Sequence, residues 1–445
     1  MSRTFSIGGI HPGDNKISAN AAIENFPLME TAYISLSQHL GAPAEPVVAK
    51  GDKVKTGQLI AKANGFISAN IHSSVSGTVT SIEPYPDLSG NLVPHIIIKV
   101  EGDEWLEGID RSEDIVREIS MDSKEIIGRI ADAGVVGLGG AAFPTHIKLS
   151  PPPNKKAEFL MINGAECEPY LTSDYRVMLE STEQILIGTK IMMKALGVKK
   201  AYFGVEENKP AAIKKLKAVA SKGYKEIKIV SLKKMYPQGG EKQLIDAILK
   251  RRVPSMGLPI DTGVVVHNVG TALAVYEAIQ KNKPLIDGVV TVTGKCMSEQ
   301  RNFRLRVGTS FDTIMFAIGG FPKDAVKLVN GGPMMGKAIS KMEAASVKST
   351  SALLLLTDKE TRRGVEGNCI RCGKCVDVCP MGLEPYLLNR LSRANRLEDL
   401  EVNMVHDCIE CGSCMYSCPA NIPLLDTIRL TKTQVLRIIR SRPKK

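Results

Sequence analysis

Eight of the ten cysteines fall between Cys369 and Cys418, in two copies of one pattern. The copies read Cys369-Ile-Arg-Cys-Gly-Lys-Cys-Val-Asp-Val-Cys-Pro and Cys408-Ile-Glu-Cys-Gly-Ser-Cys-Met-Tyr-Ser-Cys-Pro. Each is C-x2-C-x2-C-x3-C-P, the run that ligates paired [4Fe-4S] clusters. Three cysteines so spaced wrap a tight loop around three irons of a cube. The fourth, followed by Pro, points toward the other cube. Cys369, Cys372, Cys375 and Cys418 are therefore expected to hold one cluster, and Cys408, Cys411, Cys414 and Cys379 the second. Gly373 and Gly412 let the loops turn tightly, and Pro380 and Pro419 redirect the chain. A pair of zinc knuckles is the alternative, but zinc favours two separated cysteine pairs. Cys167 and Cys296 are left over and read as plain thiols, Cys296 as a small buried hydrophobe. Two clusters in one small unit make an electron wire.

Four other stretches could do chemistry. Gly134-Val-Val-Gly-Leu-Gly-Gly-Ala-Ala-Phe-Pro-Thr-His-Ile-Lys148 is a glycine loop whose N–H groups could face a phosphate, or else a packing turn. Asn163-Gly-Ala-Glu-Cys-Glu-Pro-Tyr puts an amide and two carboxylates at a strand's carboxyl end, where they can accept from ribose hydroxyls or a ring N–H. Tyr236-Pro-Gln-Gly-Gly-Glu241 and His267-Asn-Val-Gly-Thr271 complete the set.

These stretches need elements to hold them. Residues 1–110 read as all-β, with short runs such as Glu45-Pro-Val-Val-Ala and His95-Ile-Ile-Ile-Lys-Val between Gly and Pro. Gly51-Asp-Lys-Val-Lys-Thr-Gly and Val75-Ser-Gly-Thr-Val resemble the two motifs of a lipoyl/biotinyl-type hammerhead. The span Ala61–Asn70 lacks a Met-Lys-Met, so this domain is expected to be structural, with no swinging arm. Residues 115–265 alternate strand and helix: Phe159–Asn163, a helix from a Ser181-Thr-Glu-Gln capping box to Leu196, Tyr202–Val205, a helix over Pro210–Ala220, and Glu226–Leu232. That order predicts a mostly parallel α/β sheet with ligands at the strands' carboxyl ends. Residues 266–345 read as a smaller α+β unit, residues 362–425 as the two-cluster unit and 426–445 as a basic tail. In the tail Leu425, Ile428, Val435 and Ile439 could share one helix face, either a solvated helix end or a docking face for anionic lipid or a membrane subunit.

The 445 residues, 43% hydrophobic and 24% charged, suit a soluble multidomain chain and exclude disordered or coiled-coil ones. No apolar run approaches the ~18–20 residues needed to span a bilayer. Phe5–Ile10 is too short for a signal peptide's apolar region. A reducing cytoplasmic setting is expected, with any membrane role peripheral. The net charge of +11 rests largely on Arg429, Lys432, Arg437, Arg440, Arg442, Lys444 and Lys445. With only 5% aromatics, no nucleic-acid partner is expected.

In order, the glycine loop, Asn-x-x-Glu-x-Glu-Pro, Tyr-x-x-Gly-Gly-Glu and Asn-Val-x-Thr resemble the flavoprotein subunit of respiratory complex I and related diaphorases. With the hammerhead in front and the cysteine repeat behind, the chain looks like the C-subunit family of Rnf ion-translocating ferredoxin:NAD oxidoreductases, from Gly8-Gly-Ile-His-Pro through Gly331-Gly-Pro-Met-Met-Gly to Cys418. The resemblance implies an α/β multidomain fold: a barrel-sandwich hybrid hammerhead, a Rossmann-like FMN/NADH domain, a β-grasp-like ligand-binding unit and a ferredoxin-like unit with two [4Fe-4S] clusters. It implies FMN held at Gly137, Gly139, Gly140 and Lys148, with Asn163, Glu168, Tyr236, Gly240, Glu241, Asn268 and Thr271 around the flavin. Phe143, Glu166 and Glu168 would then stand at the catalytic face, Phe143 and Glu166 on the nicotinamide side. Val136 and Leu138 replace the arginines that flank the complex I loop, so Lys148 would take over the phosphate charge. Ala142 stands where Gly is common, so its backbone is expected to avoid φ > 0. The implied chemistry runs NADH ⇌ FMN ⇌ [4Fe-4S] ⇌ [4Fe-4S] to membrane partners. Those partners would be integral-membrane and iron–sulfur subunits of one complex and, indirectly, ferredoxin. The protein would sit peripherally on the cytoplasmic side of a bacterial inner membrane. A diaphorase of a soluble hydrogenase or bifurcating complex, and a relay scaffold without a working flavin site, are the alternatives.

Overall fold

The computed structural model describes residues 2–442. Lys444 and Lys445 of the basic tail lie outside them. The first unit is two facing β layers. Thr31–Ser35, Leu92–Val100, Gly77–Pro86 and Lys53–Val54 form an antiparallel sheet, and Glu45–Pro46, Leu59–Lys62 and Ile71–His72 a smaller one. Ile34, Ile60, Ile71, Ile96 and Ile98 fill the space between them. This is the expected hammerhead.

The central unit is a four-stranded, wholly parallel sheet in the order Ile227–Leu232, Ala201–Glu206, Phe159–Gly164, Val264–Asn268. Alternation along the last strand sorts its two faces. Val265 packs with the helices Ser123–Asp132, Thr182–Leu196 and Val269–Gln280. Val264 and Val266 pack with the helix Glu241–Leu249. The chain runs outward from Phe159–Gly164 to Ile227–Leu232, then returns to the other side of Phe159–Gly164. The carboxyl ends of Phe159–Gly164 and Val264–Asn268 thus flank the point where strand order reverses, which is where open α/β sheets leave a ligand crevice.

The 265/266 boundary is corrected by this pairing. It falls inside the strand Val264–Asn268, and the helix that follows belongs to the same domain. The smaller unit is a six-stranded mixed sheet built on Asp287–Thr293, Arg301–Arg306, Ala325–Asn330 and Ala352–Thr357, and it recruits Ile23–Asn25 from the amino-terminal segment. A short strand with one paired edge has no local signature of its destination. The Ser181 capping box is likewise not made. Ser181 also terminates the helix Ser173–Glu180, and its backbone (φ −120°, ψ 35°) keeps the side chain from capping. The reciprocal box forms instead at Asp122 and Glu125.

In the last unit the two repeats fold alike. Gly373 and Gly412 take φ of 76° and 77°, and Arg371 and Glu410, each two residues earlier, take 56° and 57°. The tail assignment is also corrected. Leu424–Ser441 is one helix of this unit, and Leu425, Ile428 and Val435 are buried, with Ile439 packed beside Ile428 and Val435 in the core the helix shares with Leu388, Leu400 and Val405. Arg429 and Lys432 bind Glu410, and Arg442 binds Glu401. The apolar face proposed for lipid is consumed in the fold. Among the described residues no helix is long and apolar enough to cross a membrane.

Candidate functional site

The glycine loop leaves the helix Ser123–Asp132 and is closed on itself by Gly137 N donating to the Phe143 carbonyl at 2.8 Å. It lies over the crevice. Leu138 N donates to Thr271 Oγ1 at 2.9 Å, and a Cβ on Gly139 would stand 2.8 Å from Asn268 Nδ2. Asn268 caps the helix Val269–Gln280 by accepting from Gly270 N at 2.6 Å, and it donates to Asp174 at 2.7 Å. On the neighbouring strand Asn163 donates to the Gly239 carbonyl at 2.7 Å, drawing in the Gly239-Gly-Glu turn. Lys148 donates to Glu241 at 2.6 Å and to the Val266 carbonyl at 2.7 Å. Nine of the residues implied for FMN or the nicotinamide face therefore meet at one place: Gly137, Gly139, Phe143, Lys148, Asn163, Gly240, Glu241, Asn268 and Thr271. Gly140 continues the same loop with its backbone exposed.

Two details differ from expectation. Ala142 is in the left-handed region at φ 52° and is buried, so packing overrides the steric cost of a Cβ there. Lys148 does not stand free to replace the missing arginines, because Glu241 already neutralises it.

Buried polar groups near Lys148 and on the adjoining elements remain unused, which bears on the fit of this region to a polar anion. Both ring nitrogens of His267 and the Thr145 hydroxyl are buried without a hydrogen-bond partner. Burial, with Lys148 nearby, keeps the His267 imidazole neutral. Nothing lies within 4 Å of where a Cβ on Gly140 would be. Loop N–H groups, a neutral imidazole and a hydroxyl suit a flavin phosphate and its polyol chain. A narrow cleft also reaches Gly139 and Gly270 from the side of the mixed sheet, past Asp174 and Arg304.

Three assigned residues have their side chains engaged by other groups. Glu166, at φ 46°, accepts from Asp174 N at 2.7 Å at the start of the helix Ser173–Glu180 and is buried beside Lys16. Glu168 binds the backbone of Met334 and Met335. Tyr236 is buried and donates to the Cys411 carbonyl at 2.8 Å. Burial raises the carboxyl of Glu168 to about 7, against the lowering effect of those backbone donors. Burial and then Glu166 raise Asp174 to about 7. Two buried lysines hold this turn from behind. Lys16 donates to the carbonyls of Glu166, Glu168 and Leu171, and Lys209 to that of Ala165. Neither was visible in the sequence, since a lone lysine carries no local sign of burial.

Two groupings of cysteines stand in the structure. Cys379, Cys408, Cys411 and Cys414 line one apolar pocket. Burial pushes the Cys408 thiol up to about 11, and Cys414 is raised by burial and then by Cys408, Cys411 and Cys379. Cys375 is raised by burial, with Cys418 and Cys369 close enough to add to it. Clustered thiols that resist ionisation together suit a cationic iron core. Among the described residues no three His, Cys, Asp or Glu side chains converge on a single ion. A cube asks for no such convergence, because each thiolate binds its own iron. Cys411 is 7% exposed against Tyr236 and Ile10, whereas Cys369 and Cys372 are open to solvent. The side of this pocket at Cys379 is fastened to the α/β domain by Gln243 Nε2 on the Pro380 carbonyl and to the amino-terminal segment by Gly9 N on the Val378 carbonyl.

Comparison with known proteins covers the same units. A RnfC barrel sandwich hybrid domain matches residues 4–103, a Nuo51 FMN-binding domain residues 130–277, an SLBB domain residues 289–338 and a 4Fe-4S dicluster domain residues 368–422. The C-subunit of the proton-translocating ferredoxin:NAD(+) oxidoreductase complex of Clostridium ljungdahlii is 46% identical over 88% of this chain and 85% of its own. The C-subunit of the Na(+)-translocating complex of Acetobacterium woodii is 43% identical over 96% of both. The C-subunit of the ion-translocating oxidoreductase complex of Rhodobacter capsulatus is 43% identical over 97% of this chain and 83% of its own.

Proposed function

Because the chain belongs to the C-subunit family of ion-translocating ferredoxin:NAD oxidoreductases, we propose that it is the NAD(H)-side electron-transfer component of such a complex. It would sit peripherally on the cytoplasmic face of the bacterial inner membrane, beside the complex's integral-membrane and iron–sulfur subunits. Relatives named for protons and for sodium match it almost equally.

One observation carries the reading. The Tyr236–Glu241 turn, which Asn163 draws into the crevice at Gly239, reaches the Cys411 loop through its first residue, the buried Tyr236. Its backbone N donates to the Ile10 carbonyl at 2.8 Å, and its hydroxyl donates to the Cys411 carbonyl. Bound FMN would exchange a hydride with the nicotinamide and single electrons with iron–sulfur centres, a conversion neither of those performs alone. The chain supplies the seat and the order. The glycine loop, Asn163, Asn268 and Thr271 shape the crevice, with His267 and Thr145 as unused polar groups. Cys379, Cys408, Cys411 and Cys414 would hold the centre nearer the crevice. Cys369, Cys372, Cys375 and Cys418 would hold the outer one, whose exposed end faces a partner.

The test is anaerobic purification, assay of iron, sulfide and FMN, and titration with NADH under visible spectroscopy. About eight irons and one FMN, both chromophores bleaching with NADH, are expected from two [4Fe-4S] clusters and one flavin. Eight irons without flavin, and no response to NADH after FMN is added, would support the relay scaffold instead. The specific observation favouring that second reading is Lys148, already neutralised by Glu241 where arginines are absent.

A further inference from the structure

Glu168 is a buried carboxylate that the crevice does not use. Each of its oxygens accepts from one loop, Met334 N donating to Oε2 at 3.0 Å and Met335 N to Oε1 at 2.8 Å, and the Tyr236 hydroxyl lies beside it. A Cβ on residue 332 would lie 2.1 Å from Oε2, so the loop reaches the carboxylate only because Gly332 has none. The same loop covers a cysteine turn. The Met334 carbonyl lies 3.4 Å, and its methyl carbon 3.7 Å, from where a Cβ on Gly412 would be. Met334 packs in one apolar cluster with Cys411, Tyr236 and Ile10. Lys16 fixes the other end by donating to the Glu168 carbonyl at 2.8 Å.

We propose that Glu168 is a positioning residue for the centre at Cys379, Cys408, Cys411 and Cys414, clasping the Met334–Met335 loop over the Cys411–Gly412 turn and keeping water from it. This rests on the reading that these cysteines hold a cluster, and it moves Glu168 from the flavin to the iron–sulfur side. Reduction adds negative charge to a cluster, and a dry apolar cover disfavours that charge. The clasp therefore holds this centre at a lower potential than an open loop would.

The experiment is a potentiometric titration of the full-length anaerobic protein followed by electron paramagnetic resonance. Glu168→Gln sets an amide N–H₂ against a backbone N–H donor. Gly332→Ala displaces the same loop and leaves the carboxylate in place. Both variants are expected to shift one cluster to higher potential and leave the other, and the FMN content, unchanged. If E168Q loses iron, G332A decides, since a raised potential there supports the clasp and an unchanged one overturns it. Unchanged potentials in both, with a raised KM for NADH in E168Q, would overturn the clasp and return Glu168 to the flavin's catalytic face. Failure of the parent reading is separate, because wild-type protein would then carry no iron and show no cluster signal at these cysteines.

Discussion

Adjacent glycines of the loop should respond to alanine in opposite ways. Gly139 is at φ 72°, and its Cβ would meet Asn268 Nδ2 at 2.8 Å. The left-handed backbone costs an alanine roughly 1–2 kcal/mol. Displacing the Asn268 amide disturbs its bonds to Gly270 N and Asp174, at about 1 kcal/mol each. Gly139→Ala should therefore cost about 2–4 kcal/mol, lowering the Tm of this unit by roughly 5–15 °C. Gly140 has nothing within 4 Å of its Cβ position and is not at positive φ. Gly140→Ala should leave Tm unchanged, or raise it through a stiffer unfolded chain worth about 0.4–1 kcal/mol. If the flavin lies against this loop, the new methyl would crowd the ligand by roughly 1–3 kcal/mol, or about 5–150-fold in Kd. Calorimetry and a fluorescence titration of flavin-stripped protein with FMN separate the two. Wild-type FMN affinity in G140A would show that the flavin does not lie against this loop. An unchanged Tm in G139A would show that Asn268 is not pinned as described.

The order of the two centres predicts different blocks. Cys372→Ser, at an exposed position, should leave NADH-driven reduction of the other cluster intact while stopping electron delivery to an added acceptor. Cys411→Ser, at the buried contact with Tyr236, should stop both, and rapid-mixing spectroscopy shows which. If C372S abolishes reduction of both clusters by NADH, the order is reversed. Acid stability should report His72, buried in the hammerhead and pushed down to about 3 by burial, then by Lys348 and Arg129. Its unfolded value is the ordinary 6.5, so below that pH the unfolded chain takes a proton the folded one refuses. Stability should fall as pH drops from 6.5 toward 3, by about 1.4 kcal/mol per unit, or about 2 kcal/mol at pH 5. Urea melts at about pH 7.5 and pH 5 should show that loss in wild type and a smaller one in His72→Gln. Equal losses would mean that other groups set the acid limit.

Much of this protein is local, and its sequence determined it. The cysteine spacing sets two loops of identical backbone, because ligands two and three residues apart can reach one small object only by a fixed turn. The strand and helix order dictates a parallel sheet, and the glycine loop, Asn163, Asn268 and Thr271 fall together because each sits at or beside a strand's carboxyl end. The tertiary structure decided what depends on partners distant in sequence. It placed the strand Val264–Asn268 beside Phe159–Gly164 and so located the crevice. It spent Lys148 on Glu241, folded the apolar face of Leu424–Ser441 inward, and buried Lys16 beneath a turn 150 residues away. It also sent Glu168 and Tyr236, read from their motifs as flavin neighbours, toward Met334 and Cys411. A carboxylate or a phenol binds whichever donor or acceptor packing brings within about 3 Å, and no residue beside it in sequence specifies which that will be.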